Sequence, residues 1–180
     1  MSQGKADGHG QYHLAQLNVG KILYAQDSEE MSGFVNALDE INALAEATPG
    51  FVWRLKGDAG NAMDYTVIDD ETLVNMSVWK DRDSLFGYVY RSAHTAFLAR
   101  RKEWFHMPTE GHMVLWWVPA GHEPTIDEAV ERLMYLRDHG PTPMAFTFKR
   151  AFGSDGEPLP AAGETAKATA KVTAKVTAPA

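Results

Sequence analysis

Apolar residues recur at intervals of four, three and four from Phe34 through Leu38 and Ile41 to Ala45, and Pro49-Gly50 ends the pattern. Val35 and Leu44 widen the stripe. This period turns one side of an amphipathic helix toward a core, and a Pro-Gly pair stops it. Asp27 stands three residues before Glu30, the spacing of a capping box, so the helix is predicted over about residues 28–47. What flanks it sets the plan of the chain. YHLAQL (12–17) reads as an opening strand and FVWRL (51–55) as the next. A polar loop, KGDAGNAMDYTVIDD (56–70), leads to LVNMSVW (73–79), a strand of alternating character. Leu73, Asn75, Ser77 and Trp79 share one side of it, and the polar pair sets that side apart from a plain core.

Asp81 is placed to cap a helix carrying Leu85, Tyr88 and Val89, and a helical pattern runs on through Phe97, Leu98, Arg101, Trp104 and Phe105 to about His106. HMVLWWV (112–118) is a strand, and Thr125 to Glu128 forms a capping box for a helix that Gly140-Pro141 ends. Ala145 to Phe148 is predicted as a last short strand. The order is β-α-β-β-α-β with an extra C-terminal helix and strand, which predicts an α+β, ferredoxin-like split βαβ fold with both helices on one face of an antiparallel sheet. A sheet covered on one side only would leave Trp53, Trp79, Trp116 or Trp117 on a bare face. Packing of two chains sheet to sheet would cover it, so a homodimer, a dimeric α+β barrel, is the expectation.

All nineteen aromatic residues lie in the first 152 positions, whereas residues 153–180 have none and close on AKATAKVTAKVTA. Such a stretch has little apolar area to offset the entropy of ordering it, so the predicted division is a flexible 1–10, a domain over 11–152 and a disordered Ala/Thr/Lys/Pro tail over 153–180. The net charge of −7 disfavours nucleic-acid and anionic-membrane partners, which require a basic face. With no Cys, disulfides, thiolate catalysis and cysteine-ligated metal are excluded. MSQGKADGHGQYH has no apolar signal core and nothing approaches about 18 continuous apolar residues, so no membrane span and a cytoplasmic location are expected.

No phosphate-binding glycine loop, nucleophile elbow or HExxH is present. The densest chemistry lies in YVYRSAH (88–94) and RRKEWFH (100–106). On one continuous helix His94, Leu98, Arg101 and Phe105 would share a face, with Arg91 three residues before His94 and Phe97 and Trp104 beside them. An imidazole, a guanidinium and aromatic rings there could ligate a haem iron, pair with a propionate and wall the macrocycle. They could equally hold a neutral His94 as base beside a cation, or simply fill the core. Trp53, Asn75, Trp79, Tyr88 and Trp116 are expected as pocket walls. His13 and His112 are weaker candidates, and His122 and His139, flanking the last helix, read as solvent-facing. A break near Ser92 would rotate the two halves of the helix relative to one another.

YHLAQLNVG (12–20), FVNALDEINALAEATPGFVWRL (34–55), LVNMSVW (73–79), YVYRSAH (88–94), RKEWF (101–105), VLWWVPAGHEPT (114–125) and HGPTPMAFTF (139–148) make the chain resemble a bacterial family known as domain of unknown function 3291, of the dimeric α+β-barrel superfamily. That superfamily includes antibiotic-biosynthesis monooxygenases that work without a metal. It also includes the haem proteins aldoxime dehydratase, chlorite dismutase and, with a similar Tyr-Arg-x-x-His helix, spheroidene monooxygenase. The resemblance implies a pocket between helices and sheet and an oxygenase-like enzyme acting on a hydrophobic or aromatic small molecule. In its haem b version His94 is the axial ligand, Arg91 or Arg101 the clamp, and Phe97 and Trp104 further cofactor contacts. In the cofactor-free version His94 is a base, and a non-catalytic dimeric binding protein is the remaining alternative.

Overall fold

The computed structural model describes residues 11–160. Four strands, β1 (Tyr12–Lys21), β2 (Phe51–Arg54), β3 (Thr72–Trp79) and β4 (Met113–Pro119), form one antiparallel sheet in the order β2-β3-β1-β4. Between them run α1 (Ser32–Ala47), α2 (Arg82–Arg91) and α3 (His94–Arg100), the last continued by a 3₁₀ turn at Arg101–Glu103. α4 (Ile126–His139) follows β4, and a hairpin of β5 (Ala151–Phe152) and β6 (Pro158–Leu159) comes last. The architecture is the expected α+β split βαβ with an added helix. No helix of the described residues is long and apolar enough to cross a membrane.

Strand alternation divides the side chains into two layers. Ala15, Leu17 and Val19 of β1 face the same way as Val74, Met76 and Val78 of β3 and Val114, Trp116 and Val118 of β4. Ala129, Leu133 and Leu136 of α4 pack on this layer, and Trp53, Tyr65 and Val67 complete it beside β2 and β3. The opposite layer, with Leu14, Trp79, Leu115 and Trp117, is covered by α1, α2 and the segment through Phe146, Phe148 and Phe152. Each face of the sheet is therefore covered within one chain. The bare face from which a homodimer was expected does not exist among the described residues, because α4 occupies it. The surplus of tryptophans goes into these two layers.

β2 carries a bulge: Phe51 pairs with Trp79 and Trp53 with the adjacent Val78, leaving Val52 as the extra residue. Gly50 leads into it at φ +91, where a Cβ would stand 2.2 Å from the Ser84 hydroxyl oxygen, so only glycine fits.

Three boundaries differ from expectation. α1 starts at Ser32, and neither Asp27 nor Glu30 caps it; the Ser28 hydroxyl instead accepts from the Met31 amide at 3.4 Å. Met31 is fully buried, and turning it inward sets the start of the helix. Ala145–Phe148 is not a strand but carries two isolated bridges, Thr142 to Ala145 and Leu115 to Phe146. The packed chain also runs past residue 152, since β6 pairs with β5 and the Arg82 guanidinium donates to the Pro160 carbonyl at 2.5 Å. Residues 1–10 and 161–180 of the expected flexible termini lie outside the described residues.

Candidate active site

Between α1, α2, α3 and the β1–β3 face lies a cavity of ≈ 650 Å³, within the range of small-molecule sites. Its floor follows from sequence alternation. Gln16 and Asn18 lie on this side of β1, and Asn75 and Ser77 on this side of β3, with Asn18 directly opposite Asn75. The Gln16 Nε2 donates to Asn75 Oδ1 at 2.8 Å and to Ser77 Oγ at 3.1 Å, and Trp79 Nε1 donates to Ser77 Oγ at 2.8 Å. With Oδ1 engaged, Asn75 has its amide hydrogens left for a ligand. From α1, Asn42 is nine-tenths buried, lines the cavity and has no side-chain hydrogen bond among the described residues.

His94 opens α3. The helix expected to run unbroken from Tyr88 to Phe105 breaks at Ser92, which is extended at φ −115 and ψ −176. The Ser92 hydroxyl donates to the Tyr88 carbonyl at 2.5 Å and accepts from the His94 amide at 3.1 Å, so the side chain takes over the backbone bonds at the break. His94 then turns into the cavity with Phe97, Leu98 and Arg101, while Arg91 is left exposed with its guanidinium 5.4 Å from the Phe86 ring centre.

His94 Nδ1 lies 3.3 Å from the Val89 carbonyl. A carbonyl only accepts, so the neutral ring carries its proton on Nδ1 and presents a basic lone pair on Nε2, which has no protein partner among the described residues. Burial lowers the His94 pKa, and the Val89 carbonyl offsets this only in part. Tyr88, 4.8 Å from the imidazole centre and stacked on Trp79 at 5.1 Å, is pushed up by burial and stays a neutral phenol whose hydroxyl donates to the Ile41 carbonyl at 3.3 Å. At the far end, His112 is lowered by burial and then by the Arg101 and Arg137 guanidinium groups.

The expected site residues divide. His94, Phe97, Arg101, Tyr88 and Asn75 line the cavity. Arg91 does not, because the break at Ser92 turns it outward. Trp79 is a buried pillar beneath Tyr88. Trp104 stacks behind Phe97 at 5.1 Å. Trp53 and Trp116 belong to the opposite layer, where Trp116 Nε1 donates to Glu128 Oε1 at 2.9 Å. Asn18 and Asn42 were not among the expected residues, and His112, expected only as a weaker candidate, lines the cavity. Asn42 had a signal, a lone amide inside the apolar stripe of α1 between Ile41 and Ala45. Asn18 had one too, since Gln16 and Asn18 alternate with Ala15, Leu17 and Val19.

Haem needs two opposed apolar walls and a cation for its propionates. Phe97 and Trp104 stack on each other, Phe34 packs on both at 5.8 and 5.9 Å, and Phe105 meets Phe34 edge-on at 5.0 Å. Gly20 has no side chain to keep the Phe105 ring off β1. Arg101 lines the cavity and could meet a propionate, but the rings form one packed cluster rather than two opposed walls, and the floor is amide. The residues present do not fit haem. Among the described residues, no group of three or more His, Asp or Glu is placed to hold a metal ion.

His94 and His112 predict a pH dependence of stability. Both pKa values are lowered in the folded chain, so below about pH 6.5 the unfolded state binds more protons than the native one. Stability is then full above that pH and lost as pH falls toward the folded values. Thermal unfolding midpoints between pH 7.5 and 5 should decline, and H94Q and H112Q should each flatten the decline.

Residues 13–162 match the family described as Domain of unknown function (DUF3291). No curated protein matches the chain in sequence. Solved structures similar to it include the NE2512 protein of unknown function from Nitrosomonas europaea, at 12% identity and a TM-score of 0.42 over 64% of this chain and 96% of that one. Rv0793 from Mycobacterium tuberculosis is 16% identical with a TM-score of 0.42 over 63% and 99%. SnoaB from Streptomyces nogalater, described as a cofactor-independent oxygenase, is 16% identical with a TM-score of 0.35 over 66% and 99%.

Proposed function

The chain belongs to the DUF3291 family, and from that premise we propose that its cavity is a cofactor-free active site in which His94 removes a proton from an aromatic or enolisable small molecule. The observation that carries this reading is the state of His94: a desolvated imidazole with Nδ1 on the Val89 carbonyl and Nε2 without a protein partner among the described residues. A base whose pKa is lowered stays unprotonated across neutral pH. The rings of Phe34, Phe97 and Phe105 suit a flat apolar substrate, and the Asn18, Asn42 and Asn75 amides can donate to its oxygen as charge develops there.

The proton passes to Nε2 and the electron pair left on carbon delocalises onto the substrate oxygen. Dioxygen is the acceptor in the oxygenase version of this chemistry. A methylene plus dioxygen gives a carbonyl plus water, which balances without an outside reductant. The protonated His94 returns its proton to the departing water. All of these groups come from one chain.

The test is oxygen uptake and anion absorbance with a panel of enolisable aromatic ketones. Turnover is expected, with the acid limb of kcat/KM falling below the pH of about 6.5 typical of free imidazole. Binding with neither proton loss nor oxygen uptake would overturn the catalytic reading and leave a small-molecule-binding module. An acid limb well above that pH would point to a base other than His94.

A further inference from the structure

The cations around the cavity are not equivalent. Lys21 lies 3.0 Å from both Asp69 and Glu71. Arg54 lies 2.9 Å from Glu46 and donates to the Gly60 carbonyl at 2.8 Å. Arg137 pairs with Glu110 at 3.2 Å and donates to the Gly111 carbonyl at 2.9 Å. Arg101, half-buried at the start of the 3₁₀ turn, has neither an acid nor a carbonyl on its guanidinium among the described residues. Arg137, already paired, lines the cavity with it, as does His112, whose charged form burial and the two guanidinium groups disfavour. A guanidinium loses water on entering such a wall and regains it only from a partner, and its planar fork matches a carboxylate.

Arg101 also stands in a fixed relation to the base. His94, Leu98 and Arg101 follow one another at four and three residues, so they share a face, and the helical rise puts the two ends about 10 Å apart along the axis. A body of two or three fused rings spans that length. Phe97, on the same helix, and Phe34, on α1, lie along the way.

We propose that the cavity selects a polycyclic aromatic carboxylate, or an equivalent aromatic anion, whose charged group docks on Arg101 while its ring system lies along α3 toward His94. The proposal rests on the cavity of the preceding section being a ligand site, though not on its proton transfer. Nothing here requires the anion to react. It holds the substrate by its far end and leaves the near end beside the imidazole.

The experiment is calorimetric titration of the full chain with 2-naphthoate and with its neutral isostere 2-naphthamide. Naphthoate is expected to bind about 10- to 100-fold more tightly, the range of a charge-assisted hydrogen-bonded pair, and to weaken with added salt. R101Q should abolish that preference while leaving naphthamide affinity unchanged, and R101K should keep part of it. R91Q, a cation outside the cavity, should leave both ligands as in the wild type. Equal affinity for the two ligands, or a preference that survives R101Q, would overturn the proposal. So would the absence of saturable binding by either. Should R101Q fail to fold, R101K and the wild-type salt dependence still decide. A charge preference without turnover of any ketone sinks the proton-transfer reading alone, and turnover without a charge preference sinks this one alone.

Discussion

Replacing His94 with Ala is expected to lower turnover of an enolisable aromatic ketone by about 10²- to 10⁴-fold, the range a positioned general base supplies. At about 1.36 kcal/mol per factor of ten this is roughly 3–5 kcal/mol of transition-state stabilisation. The loss should fall on kcat. The ring cluster and the asparagine amides that hold the substrate remain, so KM should change little. H94Q, which is polar but not basic, should be as slow as H94A. Added imidazole should restore part of the rate in H94A, with a pH dependence that follows imidazole itself rather than the lowered pKa of the buried side chain. Stopped-flow anion absorbance reads each of these. A variant rate within threefold of wild type would remove His94 from the reaction.

Trp79→Ala should be the costliest single substitution for stability, at about 3–5 kcal/mol. The side chain is wholly buried, meets the Phe51 ring edge-on at 5.4 Å, carries Tyr88 stacked at 5.1 Å, and donates from Nε1 to Ser77 Oγ at 2.8 Å. Removing it takes out a large apolar area and leaves a void that the two central strands cannot close. For a domain of this length the unfolding midpoint should drop by roughly 10 °C or more. Trp79→Phe keeps most of the ring contact and loses the hydrogen bond, and should cost about 1 kcal/mol. Because Tyr88 rests on Trp79 and His94 lies beside Tyr88, the Ala variant should also weaken ligand binding before it unfolds. A loss below about 1 kcal/mol would mean that this layer is not a closed core.

The elements were legible wherever local chemistry decides them. Asp81 accepts from the Ser84 amide at 2.8 Å and Thr125 from the Glu128 amide at 3.2 Å, as their spacings required. The alternation of β3 separated Asn75 and Ser77 from Val74 and Met76. Local rules failed at α1, where Asp27 and Glu30 had the spacing of a cap but burial of Met31 set the start. The site was legible in part. His94 and Arg101 were recognisable as a pair at helical spacing, and Ser92 was a visible weak point in that helix. The direction in which Arg91 would be thrown depends on the dihedral angles of one residue. Nor could the sequence say which tryptophans fill a layer and which line a cavity. Trp116 and Trp117 sit on opposite sides as alternation demands, but the layer that α4 covers is decided by the packing of residues more than ten positions away.

The bulge in β2 bears on how this chain compares with others of different length. A strand normally tolerates no change in length, because losing one residue sends every later side chain to the other face. Here Phe51, Trp53 and Arg54 already pair with three consecutive residues, Trp79, Val78 and Ser77. Excising Val52 would leave all three partners in place, with Trp53 still in the α4 layer and Arg54 still at the cavity. Position 52 is therefore where a shorter relative could carry a gap without rearranging either side of its sheet, and an alignment that put the gap one residue later would match that relative's core residue to the bulge.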